Sequence, residues 1–404
     1  MTTTTTTSHA DALRARAARR TSAYGESIWY TIHELRQHHP NPIYFGDGAP
    51  APEAMPVARM RQASAHALEE APAALGYGES EGFQPLRQFI ADWMGQRGIE
   101  APVDDIMVTA GSTQAIEVIC RVMLDPGDTI IVENPTFLGA LEIFETYEVK
   151  IVGVDVDDHG MVIDDLRAKL AAEPKAKIIY TIPTFQNPTG TTMPLERRRE
   201  LLALAREHDV VVVEDDPYEA LRYDGDPVPA LRELDDTVVH LGTFSKTIAP
   251  SVRTGWAVAP PPLFELMLAA RQLIDLHNDR MAMRTVYYTA EGFLADHMVE
   301  VRPIYKARRD AMLAALDEYM PAGCSWSRPE GGFFVWVTLP EQVDIRTFAG
   351  VAADHGVIGF PGNLFMPEAE QYNVIRLSFS TLPEDQIREG IRRLGDAVRA
   401  ATES

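Results

Sequence analysis

Short apolar runs alternate with amphipathic stretches along most of the chain. Six runs read as strands: DIMVTAG (105–111), TIIVEN (129–134), KIIYTIP (177–183), VVVVEDD (210–216), VVHLGTF (238–244) and TGWAVAP (254–260). Several are nearly continuous in Val and Ile, the form taken by strands covered on both faces. Between them lie segments such as LERRRELLALAREHD, with apolar positions at helical spacing. This alternation predicts an α/β domain on a mostly parallel sheet. Near residue 297 the pattern changes. A long helical stretch, HMVEVRPIYKARRDAMLAALDEYM, precedes two more strand candidates, FFVWVTLP and NVIRLSFS, and a smaller α+β domain is expected there.

Length supports two domains, because 404 residues exceed one ordinary core. The net charge of −22 argues against a nucleic-acid partner, since an acidic surface repels phosphate. Cys120 and Cys324 both lie among apolar residues and form no CxxC pair, so neither a metal site nor a disulfide framework is expected. No stretch approaches the ~20 apolar residues of a membrane span. The opening MTTTTTTSHADALRARAARR has basic residues but no apolar core for a secretory signal. Its Thr run reads as a disordered tail over 1–15, and a cytoplasmic location is expected.

Ligands of open α/β sheets sit beyond the carboxyl ends of the strands. Three of those ends hold unusual residues. VVVV runs into Glu214-Asp215-Asp216-Pro217-Tyr218, KIIYTIP into Thr184-Phe185-Gln186-Asn187-Pro188-Thr189-Gly190, and VVHLGTF into Ser245-Lys246. Singly, each has an ordinary reading: acids cap helices, NPTG makes a turn, and a lysine after a strand is solvated. Together they bring an acid, an amide and a lysine to one sheet edge.

GTFSKTIAPSVRTGW resembles the cofactor-lysine segment of class I aminotransferases, in the fold-type-I pyridoxal-phosphate superfamily. Thr243, Ser245, Lys246, Arg253 and Gly255 fill every place of that pattern. The resemblance continues in the family's order through YGESEGFQPLR (77–87), TAGSTQAIE (109–117), NPTF (134–137), FQNPTG (185–190), EDDPY (214–218), PEGGFFVWV (329–337) and IRLSFS (375–380). It is closest in character to the branch of aminoadipate and kynurenine aminotransferases. The resemblance implies a mixed, mostly parallel seven-stranded sheet in a large domain over 50–296. It also implies a small domain over 297–404, with residues 16–49 packing against it. It implies pyridoxal 5′-phosphate as cofactor, and an L-amino acid and a 2-oxo acid exchanging an amino group by a ping-pong route through a Schiff base to Lys246. An alternative on the same scaffold is elimination, replacement, cyclisation or oxidation.

The resemblance also assigns roles. Lys246 joins the cofactor aldehyde and then serves as base, which requires an amine shifted down from its ordinary ~10.4. Asp215 pairs with the protonated ring nitrogen, and Asn187 and Tyr218 bind the phenolic oxygen. Ser112 and Thr113 open a helix whose N-terminus suits phosphate, joined by the Thr243 and Ser245 hydroxyls and Arg253. Tyr77 matches a tyrosine that reaches the phosphate from a neighbouring subunit, which implies a homodimer with shared sites. Phe137 stacks on the ring, without the hydroxyl many relatives carry. Arg376 grips the substrate α-carboxylate, and Gly48 approaches the substrate. The chain departs from the family at Thr184, at Asp47 and over Asn278, Asp279, Arg280 and Met281.

Overall fold

The computed structural model describes residues 13–24, 34, 37–39, 41–368 and 371–403, so most of the expected tail over 1–15 lies outside the described residues. The strands in chain order are β1 (Ile43–Tyr44), β2 (Ile106–Thr109), β3 (Thr129–Asn134), β4 (Lys150–Asp157), β5 (Gly160–Met161), β6 (Ala176–Thr181), β7 (Val211–Asp215), β8 (Val239–Thr243) and β9 (Gly255–Val258). After them come β10 (Ser325–Trp326), β11 (Phe334–Thr338), β12 (Val357–Ile358), β13 (Phe360–Pro361) and β14 (Val374–Ser378).

One sheet takes the order β2-β9-β8-β7-β6-β3-β4-β5. Its central strands pair in parallel, and β9 runs against both of its neighbours. The seven expected strands are present, and a two-residue return, β5, extends the edge beside β4. β4 carries no continuous apolar run, because this strand near the sheet edge buries only Val152 and Val154. Strand order reverses between β3 and β6, the switch point at which open α/β sheets bind ligands.

Both faces of the central strands are covered. Ile130 and Val132 of β3 enter one apolar cluster, while Ile131 enters another. The first cluster is closed by α3 (Ser112–Met123), α4 (Leu138–Thr146) and α8 (Pro261–Asp275). The second is closed by α5 (Ile163–Ala172) and α6 (Leu195–Glu207). The remaining helices are α1 (Val57–Glu69), α2 (Gln84–Gly95), the short α7 (Leu231–Leu234), α9 (Arg280–Ala290), α10 (Leu294–Tyr319), α11 (Ile345–Asp354) and α12 (Glu384–Glu403).

A second, antiparallel sheet takes the order β10-β11-β14-β13 and packs with α10, α11 and α12. Helix α10 serves both cores. Leu294, Met298, Val301 and Tyr305 lie with the large-sheet residues, whereas Met312, Ala315 and Leu316 lie with those of the small sheet. Residues 43–45 are tied to the small sheet's layer, where β1 pairs in parallel with β12 and Phe45 enters that core, whereas Arg19 forms an ion pair with Glu148, just after α4 on the large sheet. The contacts of residues 43–45 carry Gly46, Asp47 and Gly48 to the rim of the large sheet.

Ile131→Ala leaves a cavity between β3 and the α5–α6 layer. We expect a loss of about 2–5 kcal/mol, read as a lower denaturant midpoint by tryptophan fluorescence.

Candidate active site

Loops at the carboxyl edge of the large sheet meet a strand of the small sheet around a cleft of about 450 Å³. β2 delivers Gly111, Ser112 and Thr113, β3 delivers Phe137, and the turn after β6 delivers Asn187. β7 and its extension bring Asp215 and Tyr218, and β8 brings Thr243, Ser245 and Lys246, with Arg253 following. Arg376 comes from β14 and Gly48 from the N-terminal segment. All the sequence-predicted site residues but one therefore line a single cleft.

Lys246 lies at its centre, where Nζ donates to the Gly48 carbonyl at 2.8 Å. Burial lowers its pKa to about 8, and the Arg376 charge acts in the same direction. Asp47 and Asp215 oppose that shift. The amine therefore has a large neutral fraction near pH 8, which an ordinary lysine lacks.

Asp215 is 2% exposed. Its Oδ2 accepts from the Tyr180 hydroxyl at 2.8 Å, and its Oδ1, also buried, has no partner among the described residues. Burial raises this carboxyl to about 7, with Asp216 adding to the shift and the Tyr180 bond opposing it. The adjacent acids are occupied. Glu214 meets His240 Nδ1 at 2.9 Å and the backbone N–H groups of Leu231 and Arg232, and Asp216 accepts from Arg97 at 3.2 Å.

Arg376 is a buried cation whose hydrogen bonds go to neutral groups, Asn187 Oδ1 at 3.0 Å and the Gly46 carbonyl at 2.8 Å. The rings of Phe334, Phe360 and Phe365 stand 4.1, 4.8 and 4.8 Å from its guanidinium carbon. No carboxylate among the described residues forms an ion pair with it, and burial lowers its pKa to about 10. A buried charge without an anion is costly, so this guanidinium is well suited to an incoming carboxylate. Tyr218 stacks edge-on against Phe333 and Phe334, and burial holds its phenol protonated.

The phosphate end is a turn that tolerates no side chains. Gly111, the residue before α3, sits at φ 80°, and a Cβ there would lie 2.6 Å from the Arg253 guanidinium. A Cβ on Gly255 would strike the backbone of Gly111 and Ser112 at 2.8 and 2.9 Å. Beside them, Thr243 Oγ1 donates to Ser245 Oγ at 2.9 Å. These observations fit pyridoxal phosphate: a helix N-terminus with a cation for the phosphate, an orphaned carboxylate oxygen for the ring nitrogen, and an amine for the aldehyde.

Tyr77 does not reach the cleft of its own chain. It is 87% exposed and stands edge-on to His277, with ring centroids 5.9 Å apart. Of the departures from the family, Thr184 accepts from the fully buried Arg198 at 2.8 Å, and Asp279 caps α9 by accepting from the Ala282 N–H at 2.9 Å. Arg280 packs over Gly78 and faces Glu79 at 3.5 Å, outside the cleft lining. Asp47 does line the cleft, and its Oδ1 accepts from the Ala49 N–H at 3.1 Å. Sequence reasoning missed the three rings around Arg376, Glu142 in the cleft wall and Tyr180 beneath Asp215. No local signal sets them apart: Tyr180 stands in the run KIIYTIP at a spacing that reads as core.

Comparison with known proteins agrees with the geometry. Residues 41–394 match the family described as aminotransferase class I and II. An aromatic-amino-acid aminotransferase of Thermococcus litoralis is 44% identical over 367 residues, covering 88% of each chain. The kynurenine aminotransferase of Pyrococcus horikoshii, solved with pyridoxamine phosphate and kynurenine, superposes with a TM-score of 0.93 at 39% identity, covering 98% of this chain and 100% of that one. The α-aminoadipate aminotransferase of Thermus thermophilus, solved with N-(5′-phosphopyridoxyl)-L-leucine, gives 0.89 at 33% identity, covering 97% and 99%. The chain thus belongs to the class I and II aminotransferases, enzymes that transfer amino groups with pyridoxal phosphate as cofactor.

Proposed function

We propose that the chain exchanges an amino group between an L-amino acid with an aromatic side chain and a 2-oxo acid by a ping-pong route, with Lys246 as the cofactor-binding and proton-moving residue. The observation that carries this reading is that the Lys246 amine shares one cleft with Asp215, whose Oδ1 has no partner among the described residues, and with Arg376, whose hydrogen bonds go to neutral groups. When bound, pyridoxal phosphate supplies an aldehyde for amine exchange and a ring that accepts electrons from the substrate α-carbon.

The protein residues do the rest. Ser112, Thr113, Thr243, Ser245 and Arg253 hold the phosphate, with the helix N-terminus adding backbone donors. Phe137 covers the ring, Asp215 Oδ1 keeps the ring nitrogen protonated, and Asn187 and Tyr218 donate to the phenolic oxygen. Arg376 takes the α-carboxylate in a two-pronged pair, which orients the α-hydrogen toward Lys246. Lys246 Nζ, once free, would take that proton and return it to the cofactor carbon two atoms away. Gly48 leaves room beside this amine.

Substrate preference follows from the wall. Phe334, Phe360, Phe365 and Leu138 give it an apolar, aromatic character. Lys246, Arg253 and Arg376 are its cations among the described residues, and each already has a task. The acids Asp47 and Glu142 also line it and disfavour a second substrate carboxylate. The resemblance to an aromatic-amino-acid aminotransferase supports the same choice. Residues Leu75, Tyr77, Leu273 and Leu276 form an exposed apolar face beside the N-terminal end of α3, where Gln114 bonds Asp275. A second copy covering this face makes a homodimer in which Tyr77 serves the partner's phosphate. Among the described residues no helix is long and apolar enough to cross a membrane, and we place the enzyme in the cytoplasm.

Phenylalanine or tyrosine added to the holoenzyme should shift its visible band and release one equivalent of the matching 2-oxo acid. Their kcat/KM should exceed that of 2-aminoadipate about tenfold or more. A panel of aromatic amino acids yielding no 2-oxo acid would sink the reading.

Borohydride added to the holoenzyme should fix the cofactor on the peptide containing Lys246, as read by mass spectrometry. Capture of pyridoxal phosphate by the apoprotein should accelerate as pH rises through about 8. Arg376→Gln removes a cation that disfavours the ammonium form, so that midpoint should move upward.

Gly255→Ala forces backbone apart at the phosphate turn. Cofactor affinity should fall about tenfold or more, measured by fluorescence titration of the apoprotein.

A further inference from the structure

Tyr180 lies one strand away from Asp215. It belongs to β6, which pairs in parallel with β7, and its phenol donates to Asp215 Oδ2 at 2.8 Å. The two residues are 1% and 2% exposed. Among the described residues this is the one hydrogen bond made to the Asp215 side chain, and Oδ1 is left without a partner at the edge of the cleft.

We propose that Tyr180 is a positioning residue for amino-group transfer: its hydroxyl fixes the rotation of the Asp215 carboxylate, so that Oδ1 is the oxygen presented to the ring nitrogen of the cofactor. The proposal rests on the reading of Asp215 given above. The terminal torsion of an aspartate is soft and roughly two-fold, so an unanchored carboxylate turns freely between its two oxygens. A hydrogen bond to an ionised acceptor is among the stronger ones and removes that freedom.

The surroundings make the bond consequential. Asp216, on the extension of β7, disfavours the ionised form of Asp215, as burial does. His240 on β8 and Lys246 beyond it favour that form, as the phenol does. Glu214, adjacent on β7, is held by His240 and two backbone N–H groups, and Asp216 by Arg97. Tyr218 faces the carboxylate from the loop after β7, and Glu133 on β3 faces Tyr180. Burial and the nearby carboxylate keep the Tyr180 phenol protonated, so it remains a donor over the working range. Phe144 of α4 braces its ring edge-on at 5.4 Å.

The test compares Tyr180→Phe with the unaltered protein. The probe is 4-deoxypyridoxine 5′-phosphate, which keeps the ring nitrogen and the phosphate but offers no aldehyde to Lys246. Its affinity for the apoprotein is titrated against pH. Loss of the phenol should weaken binding near pH 7 about tenfold and move the acid limb upward by about one pH unit, because the carboxylate then ionises less readily. In the holoenzyme kcat should fall about tenfold to a hundredfold, with KM for the amino acid changing less than about threefold. In an Asp215→Asn background the same substitution should change kcat less than about twofold. Phe144→Leu loosens the same ring without touching the carboxylate, and should lower the thermal midpoint while leaving the acid limb in place. An unmoved acid limb in Tyr180→Phe, or an equal loss of kcat in the Asp215→Asn background, overturns the proposal. If Tyr180→Phe does not fold, 3-fluorotyrosine at position 180 supplies a stronger donor of nearly the same shape. The acid limb should then move downward, and an unmoved limb again overturns the proposal. An Asp215→Asn enzyme with full kcat takes down the reading of Asp215 itself, whereas a crippled Asp215→Asn enzyme beside an unaffected Tyr180→Phe defeats only the role of Tyr180.

Discussion

A lysine amine held in a cleft between opposed charges sets the terms for the rest of this site. Burial and Arg376 push Lys246 toward its neutral form, while Asp47 and Asp215 pull it back. The balance leaves an amine that titrates near pH 8, where a solvated lysine would be almost wholly protonated. Moving any one of these charges unsettles the others, because each is felt through a poorly screened medium. The large domain supplies the amine and one carboxylate, and the small sheet supplies the guanidinium. Their relative placement therefore has to be held by packing, and α10, shared between the two cores, does part of that holding.

The sheet explains how so many groups converge. Its parallel strands all end at one edge, and each ends in a loop whose first residues point the same way. The middles of the strands cannot carry the chemistry, since Val and Ile on both faces are committed to two apolar clusters, and only the last residues of β7 and β8 reach the cleft. Two other charges near strand ends are consumed internally. Glu133 accepts from Thr181, the Ile182 N–H and Gln186, which fixes the turn that carries Asn187. Glu214 is likewise spent on His240 and the start of α7. Among the described residues that line the cleft, Asp215 Oδ1 and Arg376 Nε are buried without a hydrogen-bond partner. Buried polar groups left unpaired where they face a cleft are the ones a ligand can satisfy.

Much of this was legible in the sequence, for identifiable reasons. Continuous apolar runs revealed the central strands, because burial on both faces imposes that composition, and their ends pointed to Lys246, Asp215 and Asn187. The half-buried edge strand β4 was not seen, since only alternate positions there face the core. The tertiary partners of the site residues were also invisible. Nothing in PEGGFFVWV or in the chain around Phe360 announces that three rings enclose one guanidinium, because they meet it across sequence separations that no local period encodes. Tyr180 was hidden in the same way: its spacing in the strand reads as core, and only the parallel pairing with β7 puts its hydroxyl on Asp215.

The departures from the family acquire a physical explanation once their neighbours are known. Thr184 gives a hydroxyl to Arg198, a buried cation otherwise bonded to the carbonyls of Met193, Pro183 and Pro229. Asn278 takes a bond from buried Arg271, and Asp279 caps α9. These positions stabilise guanidinium groups and a helix end that would otherwise be costly to bury. They stand outside the cleft lining of their own chain. Asp47 is different in kind. It lies within the cleft and bears on both Lys246 and Arg376, raising the pKa of each. A carboxylate so placed offsets part of the charge that a substrate α-carboxylate will later neutralise. In the proposed reading it also disfavours a second acid group on the substrate, so the residue that departs from the family inside the site is one whose charge would bear on which amino acids are accepted.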